Sequence, residues 1–257
     1  MRLTQKKLNE IFLKQGAAAP CFFFKKTGST NDEAKNLIRS GVEKGAVLAA
    51  RQTRGRGRFG RAFLSKKGKG VYLSYFGPCA LADVMPLGGL CALAVTGAVW
   101  DLYKIPCKIK WPNDVIFNGK KLSGILPESV GGGERRAAVI GIGINVNYTS
   151  FDFGALKKTA ISVRQIVKKP RCVFTLAAAV TKRLEEIFAG LSGNKAALAA
   201  EYAALCDTVG KTVEFIRDGK TVSAKAVATD ADCALILEVN GKTEKIAWGE
   251  ISVKPAD

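Results

Sequence analysis

The sequence predicts an α+β fold that ends in a small all-β domain. Apolar runs of strand length alternate with stretches of helical spacing through residues 1–206, and three runs in the middle follow one another as antiparallel strands. After Asp207 the helical spacing stops, and short strands joined by hairpin turns remain, as in a small barrel. We therefore expect two domains, residues 1–206 and 207–257.

The composition excludes several classes of protein. A chain of 257 residues that is 47% hydrophobic can bury a large core and is not globally disordered. No apolar run approaches the roughly 18 residues that cross a bilayer, and the N-terminus lacks a signal-peptide core, so we expect a cytoplasmic protein without membrane contact. The 7 cysteines are scattered and predict reduced core thiols, not metal ligands or disulfides.

The chain contains no histidine, which excludes a Ser-His or Cys-His dyad and an imidazole general base. Any chemistry must then depend on positioning and on charge. The formal net charge of +18 indicates polyanionic partners, which include nucleotides, nucleic acid and acidic proteins. Charge of this size is also common on a solvated surface, so it does not choose among them.

The N-terminal residues predict one short helix. Apolar positions from Arg2 to Gln15 suit a helix that Gly16 ends, and a buried strand follows over Cys21–Phe24. A helix-turn-helix needs at least two helices. We therefore expect no DNA-binding domain ahead of the core.

A polar segment then leads into a second helix. The spacing of Thr30 and Glu33 predicts a capping box, and Gly41 should end the helix. Ser29, Thr30 and Asn31 either cap the helix for its own sake or, with its free N–H groups, meet an anion or a polar head group. The residues alone do not decide between these interpretations.

The stretch Arg51–Arg61 predicts an anion-binding loop. It carries five arginines and three glycines without an acidic residue, between predicted strands at 46–50 and 71–76. Glycine lets backbone N–H groups approach a ligand, and guanidinium groups match phosphate and carboxylate oxygens in pairs. The stretch lacks the Gly-Lys-Ser/Thr of a P-loop, and a strand follows its glycines where a dinucleotide fingerprint needs a helix. A flexible segment on a nucleic-acid backbone stays possible.

A core helix over residues 86–103 precedes a strand that breaks at a corner, 111–114, and resumes. Asn118-Gly119 signals a hairpin into strands at 121–128 and 137–147, and helical spacing returns at 175–189 and 195–205. Burying polar groups in apolar strands costs free energy, so we expect such groups to face a ligand. They are Lys110, Asn113, Asp114, Lys121 and Asn145.

Six motifs in this order resemble those of the biotin protein ligases, also called biotin–acetyl-CoA-carboxylase ligases. They are 28–31 (Gly-Ser-Thr-Asn), 52–61 (Gln-Thr-Arg-Gly-Arg-Gly-Arg-Phe-Gly-Arg), 110–114 (Lys-Trp-Pro-Asn-Asp), 121–128 (Lys-Leu-Ser-Gly-Ile-Leu-Pro-Glu), 141–147 (Gly-Ile-Gly-Ile-Asn-Val-Asn) and 249–252 (Gly-Glu-Ile-Ser). The resemblance covers nearly the whole chain. It implies a mixed β-sheet flanked by helices, related to class II aminoacyl-tRNA synthetases, with an SH3-like β-barrel as the C-terminal domain.

The resemblance also implies an ATP-dependent ligase in its monofunctional form. Biotin would be activated as biotinyl-5′-AMP and then transferred to a lysine of a biotin carboxyl carrier domain. Biotin and ATP would be substrates, and Mg²⁺ is expected with ATP. In-line displacement at phosphorus needs positioning and cations and no enzyme nucleophile, which suits a chain without histidine.

Site residues follow from the resemblance together with the residue chemistry. Lys121, Arg58 and Asp114 are the candidate catalytic residues. Lys121 would lie at the carboxylate and the α-phosphate, and the loop arginines would clamp the anions as a lid. Asp114 would orient the adenylate or help to deprotonate the acceptor lysine, or else only form an Asx turn. The candidate biotin and adenylate contacts are Ser29, Thr30, Asn31, Gln52, Gly55, Arg56, Gly57, Arg58, Arg61, Lys110, Asn113, Gly124 and Asn145; no metal ligands are assigned.

The chain departs from the family pattern at Arg54, usually a small residue, and at Phe63, commonly a tryptophan. Two other functions stay open: a lipoate or other acyl-adenylate transferase, and a basic nucleic-acid-binding protein. An edge strand beside the loop would allow a homodimer, which the sequence does not decide.

Overall fold

The computed structural model describes residues 4–132, 135–217, 219–247, 249 and 251–253. A seven-stranded sheet and a five-stranded sheet organise them. The strands of the larger sheet are β1 (Cys21–Phe24), β2 (Gly45–Ala49), β3 (Gly70–Pro78), β4 (Lys108–Lys110), β5 (Asp114–Phe117), β6 (Lys120–Gly132) and β7 (Arg135–Asn145). The helices are α1 (Gln5–Lys14), α2 (Thr30–Arg39), α3 (Leu81–Tyr103), α4 (Ser150–Phe153), α5 (Val163–Val167), α6 (Val173–Gly190) and α7 (Lys195–Leu205).

The larger sheet is mixed, which confirms the expected fold. Its strand order is β1-β2-β3-β7-β6-β5-β4, with β1 and β2 parallel and the other neighbours antiparallel. Side chains alternate between its two faces. Leu48 of β2 belongs to the main core with α3 and α6, whereas Val47 packs with Ala34 of α2 in a second, smaller cluster. The sheet is therefore covered on both faces.

Helix α3 is the central helix of the main core. It is long and apolar enough to cross a membrane, so the expectation that no apolar run approaches that length was wrong, but 78% of that stretch is buried inside the protein. Leu87, Leu90 and Val95 have no exposed surface. The helix begins five residues earlier than the sequence predicted and contains Pro86. Its burial is that of a core helix.

The C-terminal residues form a separate antiparallel sheet, as expected for an all-β domain. Its strands are β8 (Thr212–Arg217), β9 (Lys220–Thr229), β10 (Leu235–Val239), β11 (Lys242–Ile246) and β12 (Ile251–Val253), in the order β11-β10-β9-β8-β12. The indole N–H of Trp111 donates to the carbonyl of Cys233 (2.9 Å), and the backbone N–H of Trp111 donates to Thr208 (3.0 Å). These two bonds attach the corner between β4 and β5 to the C-terminal part of the chain.

Two local expectations were wrong. Ser29, not Thr30, is the N-cap of α2, and no side-chain capping bond forms there among the described residues. Thr30 instead bonds Gln52 and Ser74, whereas Glu33 accepts from Thr27. The corner at 111–114 does not continue one strand, because β4 and β5 pair antiparallel as a hairpin.

Other expectations agree with the structure. The Asn118-Gly119 turn has positive φ at both residues, as a type I′ turn requires. All seven cysteines are free and five of them are buried, but the expectation of core thiols was wrong for Cys172, which is exposed, and Cys79 is half-buried. The sequence also predicts turns at 131–133 and 218–219; Gly133 and Asp218 of these turns and Glu250 of the last motif lie outside the described residues.

Candidate active site

A cavity of about 490 Å³ lies between the Arg-Gly loop and the sheet. Pockets of about 300–1,000 Å³ hold small molecules. Every predicted site residue except Gly55 lines this cavity: Ser29, Thr30, Asn31, Gln52, Arg56, Gly57, Arg58, Arg61, Lys110, Asn113, Asp114, Lys121, Gly124 and Asn145. The structure therefore brings together residues that lie up to 116 positions apart in the sequence.

Lys121 and Asp114 form the ion pair of this cavity. The Lys121 amine lies 2.6 Å from the Asp114 carboxylate. Lys121 and Gly124 are three residues apart, so a regular strand would place them on opposite faces. The register of β5 and β6 shifts between Val115 and Ile116, and such an irregularity re-aims side chains. The Lys121 amine therefore lies over Gly124 inside the cavity.

Three glycines of the sheet leave room for side chains from other elements. A β-carbon at Gly124 would lie 2.9 Å from the Lys121 amine. At Gly141 it would overlap the amide of Asn31, and at Gly143 it would overlap the ring of Phe63. The sheet face can thus be approached closely at these positions only because they lack side chains. Phe63, one of the departures noted above, lies against this part of the sheet, with the tip of its ring at Gly143.

The N-terminus of α2 holds a continuous set of polar contacts. The side-chain oxygen of Gln52 accepts from the backbone N–H of Thr30 (2.8 Å), and its amide nitrogen donates to Ser65 (3.2 Å). The Ser74 hydroxyl lies 2.7 Å from the hydroxyl of Thr30 and 2.5 Å from Asn31 Oδ1. Thr30, Asn31 and Ser74 are buried, so this network fixes their side chains.

Arg56 attaches the loop to the body of the protein. Its guanidinium donates to both oxygens of Asp32 (2.7 and 3.1 Å) and to Glu128 (3.3 Å). The hydrogen bond from Arg56 lowers the pKa of Asp32 below its ordinary value, and the same bond raises the pKa of Arg56. Arg56 is therefore engaged by two carboxylates while it also lines the cavity.

Arg58 connects three parts of the site. Its guanidinium donates to Asn113 Oδ1 (3.3 Å) and to the backbone carbonyl of Gly249, and it lies 5.0 Å from the centre of the Phe59 ring. Asn113 in turn donates to the carbonyl of Ile125. The loop, the β4–β5 corner and the C-terminal domain thus meet at one side chain.

The remaining predicted residues have simpler surroundings. Gly55 lies within the loop, at a position where a β-carbon would lie 2.6 Å from the hydroxyl of Ser65. Asn145, at the end of β7, donates to the carbonyl of Lys121 (3.3 Å). Lys110 and Arg61 contribute cationic side chains to the lining. Arg54 lies against Gly28, outside the cavity lining.

One wall of the cavity was missed from the sequence. Residues 148–172 were assigned no element, yet Phe153, Leu156, Thr159 and Ala160 line the cavity. The segment is held by Asp152, which bonds Thr149 in a capping box and pairs with Lys69 (2.8 Å). The Thr-x-x-Asp spacing of that capping box was the available signal.

The described residues offer no ready-made metal cage. No group of three His, Cys, Asp or Glu side chains among them is placed to hold a metal ion. Magnesium usually keeps several waters and binds through one or two carboxylates together with substrate phosphates. In the described lining, Asp114 is the carboxylate. The site therefore fits magnesium that arrives with a nucleotide.

Known proteins resemble this chain over most of its length. The Biotin/lipoate A/B protein ligase family matches residues 23–145, and the Biotin protein ligase C terminal domain matches residues 208–254. A bifunctional ligase/repressor BirA of Bacillus subtilis is 33% identical over 88% of this chain and 71% of its own length. A biotin–acetyl-CoA-carboxylase ligase of Mycobacterium tuberculosis is 30% identical over 88% of this chain and 85% of its own length. A biotin protein ligase of Aquifex aeolicus, solved with biotin and ATP, covers 92% of this chain and 99% of its own, with 26% identity and a TM-score of 0.80.

Proposed function

The chain belongs to the biotin protein ligases of the biotin/lipoate A/B protein ligase family, and on that premise we propose how its cavity activates and transfers biotin. In the first step the biotin carboxylate attacks the α-phosphorus of ATP. A carboxylate–phosphorus bond forms, the bond to the bridging oxygen breaks, and pyrophosphate leaves. In the second step the amine of a carrier-domain lysine attacks the biotinyl carbonyl, and AMP leaves.

The position of Lys121 is the observation that carries the proposal. Its amine lies within the cavity, beside the glycine-lined sheet face and opposite the arginines of the loop. A carboxylate and a triphosphate repel each other, so their approach requires fixed positive charge in a site screened from water. Lys121 supplies that charge where the two reacting groups meet.

The loop arginines have different parts in this proposal. Arg58 and Arg61 bind phosphate oxygens, whereas Arg56 is anchored by Asp32 and Glu128 and holds the loop to the sheet. Asp114 holds Lys121 in place through their ion pair. Magnesium, when bound with ATP, offsets further charge on the phosphates. The loop and the 148–160 wall keep water from the adenylate, which is a reactive mixed anhydride.

The N-terminus of α2 is suited to the head group of biotin. Ser29, Thr30 and Asn31 line the cavity and are each less than 5% exposed. A helix N-terminus with fixed hydroxyl and amide groups offers both donors and acceptors to a neutral polar ring. Apolar side chains that include Phe63, Trp111 and Ile142 line the same cavity.

Several finer points belong to the same proposal. We propose a cytoplasmic enzyme with an SH3-like C-terminal domain that begins at residue 207. A homodimer would pair subunits along an edge of the larger sheet, where β1 and β4 are the outer strands.

Mass spectrometry tests the whole reaction. The purified protein is incubated with ATP, Mg²⁺, biotin and a biotin carboxyl carrier domain, and the carrier mass is measured. We expect one added biotinyl group on the carrier lysine, and none when that lysine is replaced by arginine. Lipoate in place of biotin serves as the matched substrate control. Transfer of lipoate but not biotin would contradict the proposal in favour of a lipoate ligase.

A further inference from the structure

Glu128 lies just outside the cavity and contacts two residues that line it. Its carboxylate accepts from Asn31 Nδ2 (2.5 Å) and from Arg56 Nη2 (3.3 Å), and it also pairs with Lys35 (3.0 Å). The Glu128 side chain is 24% exposed. It thus lies between the N-terminus of α2 and the Arg-Gly loop.

The carboxylate determines which way the Asn31 amide points. An ionised carboxylate only accepts hydrogen bonds, so the side-chain nitrogen of Asn31 must face Glu128. The side-chain oxygen of Asn31 then faces Ser74, whose hydroxyl donates to it at 2.5 Å. Ser74 has a single hydroxyl hydrogen, so its bond to Asn31 leaves the Ser74 oxygen as an acceptor. The hydroxyl hydrogen of Thr30 lies within reach of that oxygen (2.7 Å) and of Gln52 Oε1 (3.1 Å). Glu128 therefore fixes the orientation of Asn31 and of the Ser74 hydroxyl.

The fixed amide presents a defined group to the cavity. The two amide hydrogens of Asn31 point to Glu128 and to the carbonyl of Leu126 (3.4 Å). The amide oxygen uses one lone pair for Ser74 and keeps the other. Gly141 allows this oxygen to lie close to the sheet, because a β-carbon there would overlap it. Asn31 therefore offers the cavity an acceptor and no donor.

We propose that Glu128 is a positioning residue for biotin, which it serves by fixing the Asn31 amide and by tethering Arg56 of the loop. The inference rests on the proposed function. Glu128 does not line the cavity, yet through Asn31 it selects a ligand with an N–H group at the N-terminus of α2. The ureido ring of biotin has such a group. The same carboxylate accepts from Arg56, so the residue that orients Asn31 also holds the loop in position.

The charge state of Glu128 agrees with this role. Burial acts to raise the pKa of Glu128, but the hydrogen bond from Asn31 and the charges of Lys35 and Arg56 outweigh burial and lower it. The carboxylate is therefore ionised at neutral pH. Because an ionised carboxylate cannot donate, the reversed orientation of Asn31, with its amide oxygen against Glu128, is excluded at neutral pH.

Calorimetric titration of biotin into Glu128→Gln tests the proposal. Glutamine has nearly the same size, but its amide can donate as well as accept, so Asn31 is no longer held in one orientation. We expect the dissociation constant to rise about tenfold or more, because a hydrogen bond to a charged group is replaced by a neutral one. Lys35→Gln removes another partner of the same carboxylate and leaves the Asn31 bond, so its affinity should stay within about twofold of wild type. The melting temperature of each variant shows whether it is folded.

A second variant tests the other end of the bond and serves if Glu128→Gln does not fold. Asn31→Asp keeps an acceptor toward the cavity but cannot donate to Glu128, so it should also bind biotin about tenfold more weakly. Unchanged affinity in either folded variant, or an equal loss in Lys35→Gln, would overturn the inference and leave the ligase function intact. Absence of biotin binding by the folded wild-type protein would contradict the ligase function and the inference with it.

Discussion

The amine of Lys121 and the carboxylate of Asp114 lie 2.6 Å apart on neighbouring strands, inside the cavity that the Arg-Gly loop covers. Without substrate, the charge of Lys121 is thus balanced by Asp114. In the proposed reaction, the anions that enter compete with Asp114 for the lysine. The part proposed for Asp114, to hold Lys121 in place, can be separated experimentally from a role as a base.

Asp114→Asn should slow formation of biotinyl-5′-AMP by about tenfold or more, because Lys121 loses the charged group that positions it. The measurement is single-turnover formation of the adenylate. Transfer from adenylate supplied directly should change less. A loss confined to transfer would instead support the role of Asp114 in deprotonating the acceptor lysine. Asp207→Asn, which breaks an exposed ion pair with Lys211, is the matched control.

Arg58→Ala should reduce adenylate formation by about a hundredfold, because it removes an anion-binding group and the contacts with Asn113 and Gly249. The loop should also become easier to cleave by trypsin in the presence of ligands. Arg51→Ala changes an exposed arginine of the same loop that does not line the cavity and is the control. Equal kinetics in the two variants would refute the part assigned to Arg58.

Gly143→Ala should destabilise the protein by about 1–3 kcal/mol and weaken biotin binding, because the added methyl group overlaps the ring of Phe63. Urea unfolding and calorimetry measure the two effects. Adding Phe63→Leu should recover part of both losses, since the smaller side chain can move away from the methyl group. If the double variant is no better than Gly143→Ala, the overlap is not the cause.

Asp152→Asn should lower stability at pH 7 by about 1 kcal/mol once solvent screening is allowed for. The hydrogen bond from Lys69 has the largest effect and lowers the pKa of Asp152; burial opposes it, and the bonds from Thr149 lower the pKa further. Because the pKa of Asp152 is lower in the folded than in the unfolded protein, its ionised carboxylate stabilises the fold fully above the unfolded pKa of about 4. This stabilisation is lost as the pH falls from there through the folded pKa. The difference between wild type and variant in urea unfolding should therefore narrow below about pH 4. A constant difference down to pH 2 would contradict this.

Much of the fold was predictable because it depends on local patterns. The hairpin at Asn118-Gly119 follows from the turn preference of these two residues. The spacing of apolar residues predicts strands β2 and β3 and the end of helical structure after residue 207. The candidate site residues came from the resemblance and from residue chemistry, and nearly all of them line a single cavity.

The parts that failed depend on contacts between distant residues. Thr30 was expected to cap α2, but its backbone N–H and hydroxyl are taken by Gln52, 22 residues away. The register shift that puts Lys121 and Gly124 on one face leaves no mark in the spacing of either strand. The network of Asn31, Ser74 and Glu128 joins three elements, so no segment reveals it alone.

Biotin-dependent exchange of labelled pyrophosphate into ATP tests the central claim most directly, because it reports adenylate formation at Lys121 without any carrier domain. The wild-type protein should catalyse exchange only when biotin is present. Lys121→Ala should lose it by at least about a hundredfold, whereas Lys120→Ala, which changes the exposed neighbouring lysine, should retain it. No exchange by folded wild-type protein, or equal exchange by Lys121→Ala, would contradict the account.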